Sequence, residues 1–358
     1  TIKKRSLTTR AVLHTYRDGP GFRTRVLHSR MPRDQPLKQH GRSDAYATIV
    51  VYDGPHACTA AVLGRILRRL DPTRPRAALV HRVSNATKAM LTADNLWELH
   101  HMRKPFPLPQ SALWPRKPVI WGFQAQLWSL KQFRRVLFFD ADHIPLPDLA
   151  PSRLAALWDG LGEGQLGAAP EGPSSPQGCF NSGMMLLRPH AGTLAGLKRT
   201  AERLMLNSSR AELLQLRARC PTGWNLDQPL LNAHFPRGEW VGLTNWRVMT
   251  PFVAVYDACN VDSSAGLLKH ADSFHYMHPA RPWQQSSECA LYGANCMPAA
   301  LLAPRPEFQS SELRSWRIWT ARASGCHVWA AIAAAWWTDF LGLPSATREA
   351  CMPRISSG

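Results

Sequence analysis

The sequence predicts an α/β fold in which helices flank a mixed, mostly parallel β-sheet. Residues 46–52 (YATIVVY) are apolar or β-branched on both faces, which is typical of a strand buried inside a parallel sheet. Apolar residues recur at helical spacing over residues 59–70, and residues 77–83 form a second candidate strand. A second amphipathic helix, along the stripe from Ile120 to Phe133, leads directly into the apolar strand 136–139. This alternation of strand and helix indicates a parallel sheet.

After residue 140 the predicted elements become shorter. Candidate strands cover residues 166–169, 184–187 and 252–256, and residues 103–118 are expected to form an irregular loop. We divide the chain into a poorly ordered basic stem or tail at residues 1–43, an α/β domain at residues 44–285, and an extension rich in Trp and Ala at residues 286–358.

The chain is strongly basic, with a formal net charge of +18, and 45% of its residues are hydrophobic. This apolar content excludes disordered, collagen-like and coiled-coil proteins. Half of the charge lies in residues 1–42, which hold eleven basic residues and two acids. A basic chain raises the hypothesis of a nucleic-acid-binding protein. Because no nucleic-acid motif is present and half of the basic excess lies in residues 1–42, outside the α/β domain, we expect no nucleic-acid partner.

The strongest local motif is Asp140-Ala141-Asp142, which follows the strand 136–139. Residues i and i+2 of an extended segment point the same way, so both carboxylates can converge at the carboxyl end of the strand. Ligands of open α/β sheets bind at that edge. Two converging carboxylates repel each other unless a cation lies between them, and hard oxygen ligands favour Mn²⁺ or Mg²⁺. The alternative is an acidic turn or a helix N-cap.

Three further stretches follow the acidic motif. Asn181-Ser182-Gly183 precedes an apolar strand. The two polar side chains can bind sugar hydroxyls, and Gly183 permits close approach of a ligand. The alternative is a plain turn. Asp227-Gln228 begins a candidate helix, for which N-capping by Asp227 is the alternative. His275 offers the two carboxylates a third metal ligand, although a lone histidine is more often structural.

The order of these motifs, with Arg281-Pro282-Trp283 last, resembles the glycogenin-like branch of the family 8 glycosyltransferases, which includes related plant glucuronosyltransferases. The resemblance runs from about Ala45 to Trp283. It implies a GT-A type, Rossmann-like nucleotide-diphospho-sugar transferase fold. It also implies a metal-dependent, retaining glycosyltransferase that moves a hexosyl or glucuronosyl group from a UDP-sugar to an acceptor hydroxyl.

The resemblance also implies roles for individual residues. Asp140, Asp142 and His275 match the family's manganese ligands, with Mg²⁺ as the alternative ion. Asp227 and Gln228 match the catalytic pair below the anomeric carbon. The expected donor is UDP-glucose or UDP-glucuronate, and the expected acceptor is a polysaccharide or a glycolipid. Matches to donor-binding positions are Val50, Tyr52, Asp53, Glu171, Asn181, Ser182 and Arg281.

The chain departs from the family pattern at two positions. Gln124 replaces a lysine that usually precedes the acidic motif, and His278 replaces a small residue. Loss of the lysine removes a positive charge near the donor, so a catalytically silent, UDP-sugar-binding protein is an alternative.

The cysteine content and the glycosylation motifs give information about the cellular compartment of the protein. The chain has eight cysteines, none in a CxxC pair, and two sequons at Asn85 and Asn207. Together with the stem-like N-terminus, these features favour the Golgi or another secretory-pathway lumen, with a membrane anchor upstream of residue 1. The cytoplasm is the alternative.

Overall fold

A computed structural model describes most of residues 43–275 and parts of the C-terminal region. The described residues are 43–102, 122–146, 149–159, 161, 166–170, 178–206, 211–212, 215, 227–236, 238–243, 248–249, 271–275, 339, 342–348 and 351. The predicted strand 252–256 and loop 103–118 therefore lie outside the described residues.

The main sheet has seven strands, namely β1 (Ala45–Val51), β2 (Arg76–His81), β3 (Glu98–His101), β4 (Val136–Phe139), β6 (Leu166–Pro170), β7 (Phe180–Leu187) and β8 (Trp240–Gly242). Their order in the sheet is β3-β2-β1-β4-β7-β6-β8. Strands β3, β2, β1 and β4 are mutually parallel, as are β6 and β8, whereas β7 runs antiparallel to both β4 and β6. The predicted fold class, a mixed and mostly parallel sheet flanked by helices, is confirmed.

Helices cover both faces of this sheet. Helices α1 (Pro55–Leu70), α2 (Asn85–Thr92) and α3 (Pro151–Asp159) contribute buried residues to the core on one face. Helices α4 (Ala191–Leu206) and α5 (Gln228–His234) contribute to the core on the other face, together with a 3₁₀ helix at Gln124–Ser129. Strand β4 serves both cores, because Leu137 and Phe139 face the first and Val136 and Phe138 face the second. Full burial of each large apolar side chain stabilises the fold by roughly 2 kcal/mol.

The segment before β4 differs from its prediction. The apolar stripe predicts an α-helix up to Phe133, but the described part of that segment forms the 3₁₀ helix Gln124–Ser129. Leu127, Leu130 and Phe133 recur every third residue, a spacing that suits the three-residue turn of a 3₁₀ helix as well as an α-helix. The Ser129 hydroxyl donates to the Gln126 carbonyl at 2.6 Å near the end of this helix. The stripe therefore predicted the buried face correctly and the helix type wrongly.

A second, three-stranded sheet lies beside the acidic motif. It consists of β5 (His143–Pro145), β9 (Val248–Met249) and β10 (Ser273–His275), in the order β5-β10-β9. The β5–β10 pair is antiparallel and places His143 opposite His275. The start of β10 is fixed by Asp272, whose carboxylate accepts two hydrogen bonds from Arg153 of α3 at 3.0 and 2.6 Å.

An arginine cluster lies where β1 and β4 begin, and we call it the amino-end cluster (Asp44, Asp71, Arg74, Arg134 and Arg135). Arg134 and Arg135 each bind the Asp44 carboxylate through two nitrogens, at 2.7 to 3.0 Å. Arg74 lies 3.6 Å from Asp44 and 2.7 Å from Asp71, and its guanidinium lies over the ring of Trp158. Burial alone would raise the pKa of Asp44, but hydrogen bonds and charge from Arg135 and Arg134 lower this pKa to about 2.

The described parts of the C-terminal region contact α1. A disulfide bond joins Cys58 of α1 to Cys351, and Cys179 is also disulfide-bonded. Asp339 pairs with Arg69 at 3.3 Å and lies 3.9 Å from Arg65. None of the described helices is both long enough and apolar enough to cross a bilayer. The proposed division into stem, domain and extension stays a prediction.

Candidate functional site

The acidic motif lies at the carboxyl end of β4, as predicted. Phe138 and Phe139 are fully buried and anchor the strand, so the chain emerges from the core at Asp140. The Asp140 amide donates to the Gly183 carbonyl of β7 at 2.8 Å, and the His143 amide donates back to the Asp140 carbonyl at 2.9 Å. These bonds close a tight turn that holds both carboxylates at the edge of the sheet.

His275 reaches the same place from the small sheet. One ligand atom of each of Asp140, Asp142 and His275 lies within 4.8 Å of the others. The closest charged contact among them is 3.4 Å, between His275 Nε2 and Asp142 Oδ1. The structure thus brings together the three residues that the sequence predicted as metal ligands, although His275 follows Asp140 by 135 residues.

These three groups fit a divalent cation. A six-coordinate ion with bonds of about 2.1 Å separates adjacent ligand atoms by roughly 3 Å and opposite ones by roughly 4.2 Å. The 3.4 Å contact and the 4.8 Å limit among these groups are compatible with that geometry. Two carboxylates and one imidazole suit Mn²⁺, and also Mg²⁺. Gly183 makes the arrangement feasible, because a Cβ atom there would lie 2.5 Å from His275 Cε1. Gly183 thus gives room for the His275 ring, and its expected role in close approach of a ligand stays a prediction.

The negatively charged forms of the carboxylates in this site are destabilised by burial and by one another. Burial and the nearby charge of Asp142 raise the pKa of Asp140 to about 7. Burial, with a smaller contribution from Asp140, raises the pKa of Asp227 to about 7. None of the salt bridges among the described residues involves Asp140 or Asp227. A bound divalent cation would offset this repulsion.

Gln124 connects the metal-ligand candidates with the candidate catalytic pair. Its side-chain amide donates to Asp140 Oδ1 at 3.2 Å and lies 3.4 Å from the Ser182 carbonyl oxygen. Its backbone amide donates to Asp227 Oδ2 at 3.0 Å. Asp227 occupies the N-cap position of α5 but makes no capping hydrogen bond, so capping does not explain it. The residue that marks a departure from the family pattern thus lies at the centre of the site.

The polar stretch at the start of β7 packs against α5. The Ser182 amide donates to Gln228 Oε1 at 3.0 Å, and the Gly183 amide donates to Asn181 Oδ1 at 2.8 Å. Asn232 links the two elements further, accepting from the Phe180 amide and donating to the Phe180 carbonyl, both at 3.0 Å. Asn181, Ser182, Asp227 and Gln228 therefore belong to one hydrogen-bonded unit with Asp140.

The predicted nucleotide-binding residues lie at the carboxyl end of β1, which neighbours β4 in the sheet. The side chain of Val50 is fully buried in the core, so only its backbone could face a ligand. Tyr52 adopts a left-handed conformation with φ of 67°, and 44% of it is exposed, beside the ring of His81. Asp53 accepts from the Ser84 amide at 3.0 Å and from the Thr87 hydroxyl, which ties it to the start of α2.

Two predicted donor-binding residues, Glu171 and Arg281, lie outside the described residues, as does His278. Their assignments stay predictions.

Sequence reasoning missed His143, whose ring stacks on His275 and whose Nε2 lies 2.8 Å from the Ser273 hydroxyl. Burial and the neighbouring His275 lower the pKa of His143 well below its usual range. Its position three residues after Asp140 indicated that it lies near the acidic motif, but no sequence pattern indicated that its strand pairs with β10.

Searches for similar proteins give structural neighbours only. No family model and no curated protein match the sequence. The galactosyltransferase LgtC, solved with donor and acceptor sugar analogues, shares 16% identity over 68% of this chain and 90% of its own, with a TM-score of 0.42. The apo form of the glycosyltransferase GlyE from Streptococcus pneumoniae TIGR4 shares 15% identity over 83% of this chain and 64% of its own, with a TM-score of 0.47. At such values these likenesses add no argument about the site.

Proposed function

We propose that this chain is a metal-dependent, retaining glycosyltransferase that transfers a hexosyl or glucuronosyl group from a UDP-sugar to an acceptor hydroxyl. The observation that carries the proposal is the cluster of Asp140, Asp142 and His275 at the carboxyl edge of the sheet. Open α/β sheets bind their ligands at this edge. Neighbouring groups there, on β1, β7 and α5, could hold the rest of a nucleotide-sugar.

The three clustered residues would hold Mn²⁺, with Mg²⁺ as the alternative. When bound, the ion supplies positive charge that stabilises a departing diphosphate. Gln124 holds Asp140 from the protein side through its side-chain amide. That contact orients the Asp140 carboxylate through an uncharged amide, which brings no positive charge that would compete with a cation.

Asp227 and Gln228 are proposed to face the anomeric carbon. Each is held by a backbone amide, Asp227 by that of Gln124 and Gln228 by that of Ser182, both at 3.0 Å. Such fixed hydrogen bonds preorganise a side chain and reduce its motion before reaction. Either side chain could attack the anomeric carbon from the face opposite UDP, so that the bond to UDP breaks and the acceptor hydroxyl then displaces the side chain. Direct attack by the acceptor hydroxyl on the face that UDP leaves is the other route.

Tyr52 and Asp53 are proposed to contact the nucleoside. The exposed ring of Tyr52 offers a surface for a base, and the carboxylate of Asp53 is an acceptor for ribose hydroxyls. UDP-glucose and UDP-glucuronate are the proposed donors, and a polysaccharide or a glycolipid is the proposed acceptor.

The disulfide bond between Cys58 and Cys351 favours an oxidising compartment. It supports the proposal of a Golgi or other secretory-pathway lumen over the cytoplasm.

One experiment tests the activity. UDP release is measured from UDP-glucose and UDP-glucuronate, with and without Mn²⁺, for the wild type, Asp142→Ala and the surface control Asp94→Asn. We expect Mn²⁺-dependent release from the wild type and the control, and a loss of at least about 100-fold in Asp142→Ala, because one metal ligand is removed. No release from either donor by a wild type that binds UDP and Mn²⁺ would instead favour a silent, UDP-sugar-binding protein, the alternative that Gln124 motivates.

A further inference from the structure

His143 follows the acidic motif directly, and its ring lies against that of His275. The ring centroids are 4.9 Å apart and the planes are inclined by only 20°, so the two imidazoles stack. The residues are opposite partners in the antiparallel pairing of β5 and β10. Both are buried, with 1% of His143 and 7% of His275 exposed. The stack is therefore built into the backbone register of the small sheet.

His143 is itself held in place on two sides. Its Nε2 lies 2.8 Å from the Ser273 hydroxyl, which belongs to the same strand as His275. The ring of Phe139, at the end of β4, meets it edge to face with centroids 5.5 Å apart. His143 thus links the strand that carries the two aspartates with the strand that carries the histidine.

The His275 ring also contacts β7. The α-carbon of Gly183 approaches so closely that a methyl group there would lie 2.5 Å from His275 Cε1. Rotation about the last side-chain bond of a histidine is normally broad, so an imidazole without such contacts samples many orientations. The contacts with His143 and Gly183 restrict the ring to an orientation in which Nε2 lies 3.4 Å from Asp142 Oδ1.

We propose that His143 is a positioning residue that fixes the imidazole of His275 for binding of the divalent cation. The inference rests on the proposed metal site, but not on any particular donor, acceptor or reaction. His143 is not one of the three residues whose ligand atoms cluster, and its Nε2 lies 2.8 Å from the Ser273 hydroxyl. Groups around metal ligands that orient those ligands contribute about 10- to 100-fold to metal affinity.

A purely structural role for His143 predicts a different outcome. In that case its replacement lowers the stability of the fold and leaves the affinity for metal unchanged. A positioning role predicts that affinity depends on whether an aromatic ring occupies the position. The two roles are therefore separated by measuring metal affinity and thermal stability on the same variants.

The experiment measures Mn²⁺ affinity of the full chain by electron paramagnetic resonance, without nucleotide, alongside the unfolding temperature. His143→Leu removes the ring, His143→Phe keeps a stacking ring without nitrogen, and Phe133→Leu is a matched loss of a buried ring outside the site. We expect about tenfold weaker Mn²⁺ binding in His143→Leu, less than about threefold weakening in His143→Phe, and wild-type affinity in Phe133→Leu.

Wild-type Mn²⁺ affinity in His143→Leu, or equal weakening in Phe133→Leu, would overturn the proposal. If His143→Leu does not fold, Ser273→Ala serves instead, because it removes the hydrogen bond to His143 and is expected to weaken binding severalfold; unchanged affinity there would also overturn it. Mn²⁺ binding without turnover of any UDP-sugar contradicts only the proposed transferase activity. Absence of Mn²⁺ binding by the wild type overturns both.

Discussion

The neighbouring strands β1 and β4 have buried carboxylates near both of their ends, and the two ends surround those carboxylates differently. At the amino end, Asp44 accepts four hydrogen bonds from Arg134 and Arg135, and its pKa is lowered to about 2. At the carboxyl end, Asp140 lies beside Asp142, and its pKa is raised to about 7. The same residue type is thus stabilised as an anion at one end and destabilised as an anion at the other.

This contrast distinguishes an end with a structural role from an end suited to a ligand. Buried charges that are paired and fully hydrogen-bonded hold elements together, and removing one partner leaves the other uncompensated. At the carboxyl end, burial and neighbouring carboxylates raise the pKa values of Asp140 and Asp227, and groups with such perturbed pKa values concentrate at functional sites. The amino-end cluster therefore explains how the strands are joined, and the carboxyl end indicates where a cation binds.

The largest effect on stability is expected from Asp44→Asn. This change leaves Arg134 and Arg135 without their carboxylate, and we expect a loss of about 3 kcal/mol in the free energy of unfolding. Chemical denaturation with wild type as reference measures it. Mn²⁺ affinity of the folded fraction should stay unchanged; a stability loss below about 1 kcal/mol would show that the amino-end cluster is not structural.

The next effect is expected from Gly183→Ala. The added methyl group would collide with His275 Cε1, at 2.5 Å, and displace the imidazole from the aspartates. We expect Mn²⁺ affinity to fall at least about tenfold, which corresponds to about 1.4 kcal/mol. Isothermal titration calorimetry checks this value, and Gly54→Ala is the control, because a Cβ atom there meets nothing within 4 Å. Equal Mn²⁺ affinities of Gly183→Ala and Gly54→Ala would show that Gly183 is not needed for metal binding.

The pH dependence of stability should differ between the two ends. A carboxyl group whose pKa is raised in the native state binds protons more tightly there, so its contribution to stability is lost as the pH rises from about 4 to about 7. A group whose pKa is lowered, such as Asp44, loses its contribution as the pH falls from about 4 towards 2. Asp140→Asn should therefore raise the stability of the metal-free protein at pH 7.5 by on the order of 1 kcal/mol, and Asp44→Asn should lower it. Denaturation at several pH values measures both, and destabilisation by Asp140→Asn would contradict the contrast.

The smallest effect is expected from Arg74→Lys. Lysine keeps the charge near Asp44 and Asp71 but loses the planar group that lies over Trp158, so we expect a loss of about 0.5 to 1 kcal/mol. Thermal denaturation measures it. A loss as large as that of Asp44→Asn would mean that Arg74, rather than the pair Arg134 and Arg135, dominates the amino-end cluster.

Much of the central sheet could be predicted from the sequence. The apolar strand 136–139 is β4, and strand 46–52 is β1 shifted by one residue, because continuous apolar runs mark strands buried on both faces. The cluster of Asp140, Asp142 and His275 was also predicted, because two carboxylates that follow a buried strand can converge at the edge of the sheet where ligands bind. Its third member came from the family resemblance rather than from any local pattern.

What could not be predicted depends on contacts between distant segments. No sequence pattern indicates that the side-chain amide of Gln124 donates to Asp140, or that its backbone amide donates to Asp227, 103 residues away. The small strands β5 and β10 have three residues each, too few to show any periodicity. The stacking of His143 on His275 depends on their pairing, which only the structure supplies.

We expect the carboxylates of Asp140 and Asp142 at the end of β4 to form, with His275, a divalent-cation site. The decisive measurement titrates Mn²⁺ into the full chain and detects free ion by electron paramagnetic resonance, for wild type, Asp142→Asn and Asp44→Asn. We expect one saturable Mn²⁺ per wild-type chain, the same binding by folded Asp44→Asn, and binding weakened by at least about 100-fold in Asp142→Asn. No saturable binding by the wild type, or equal binding by wild type and Asp142→Asn, would contradict it.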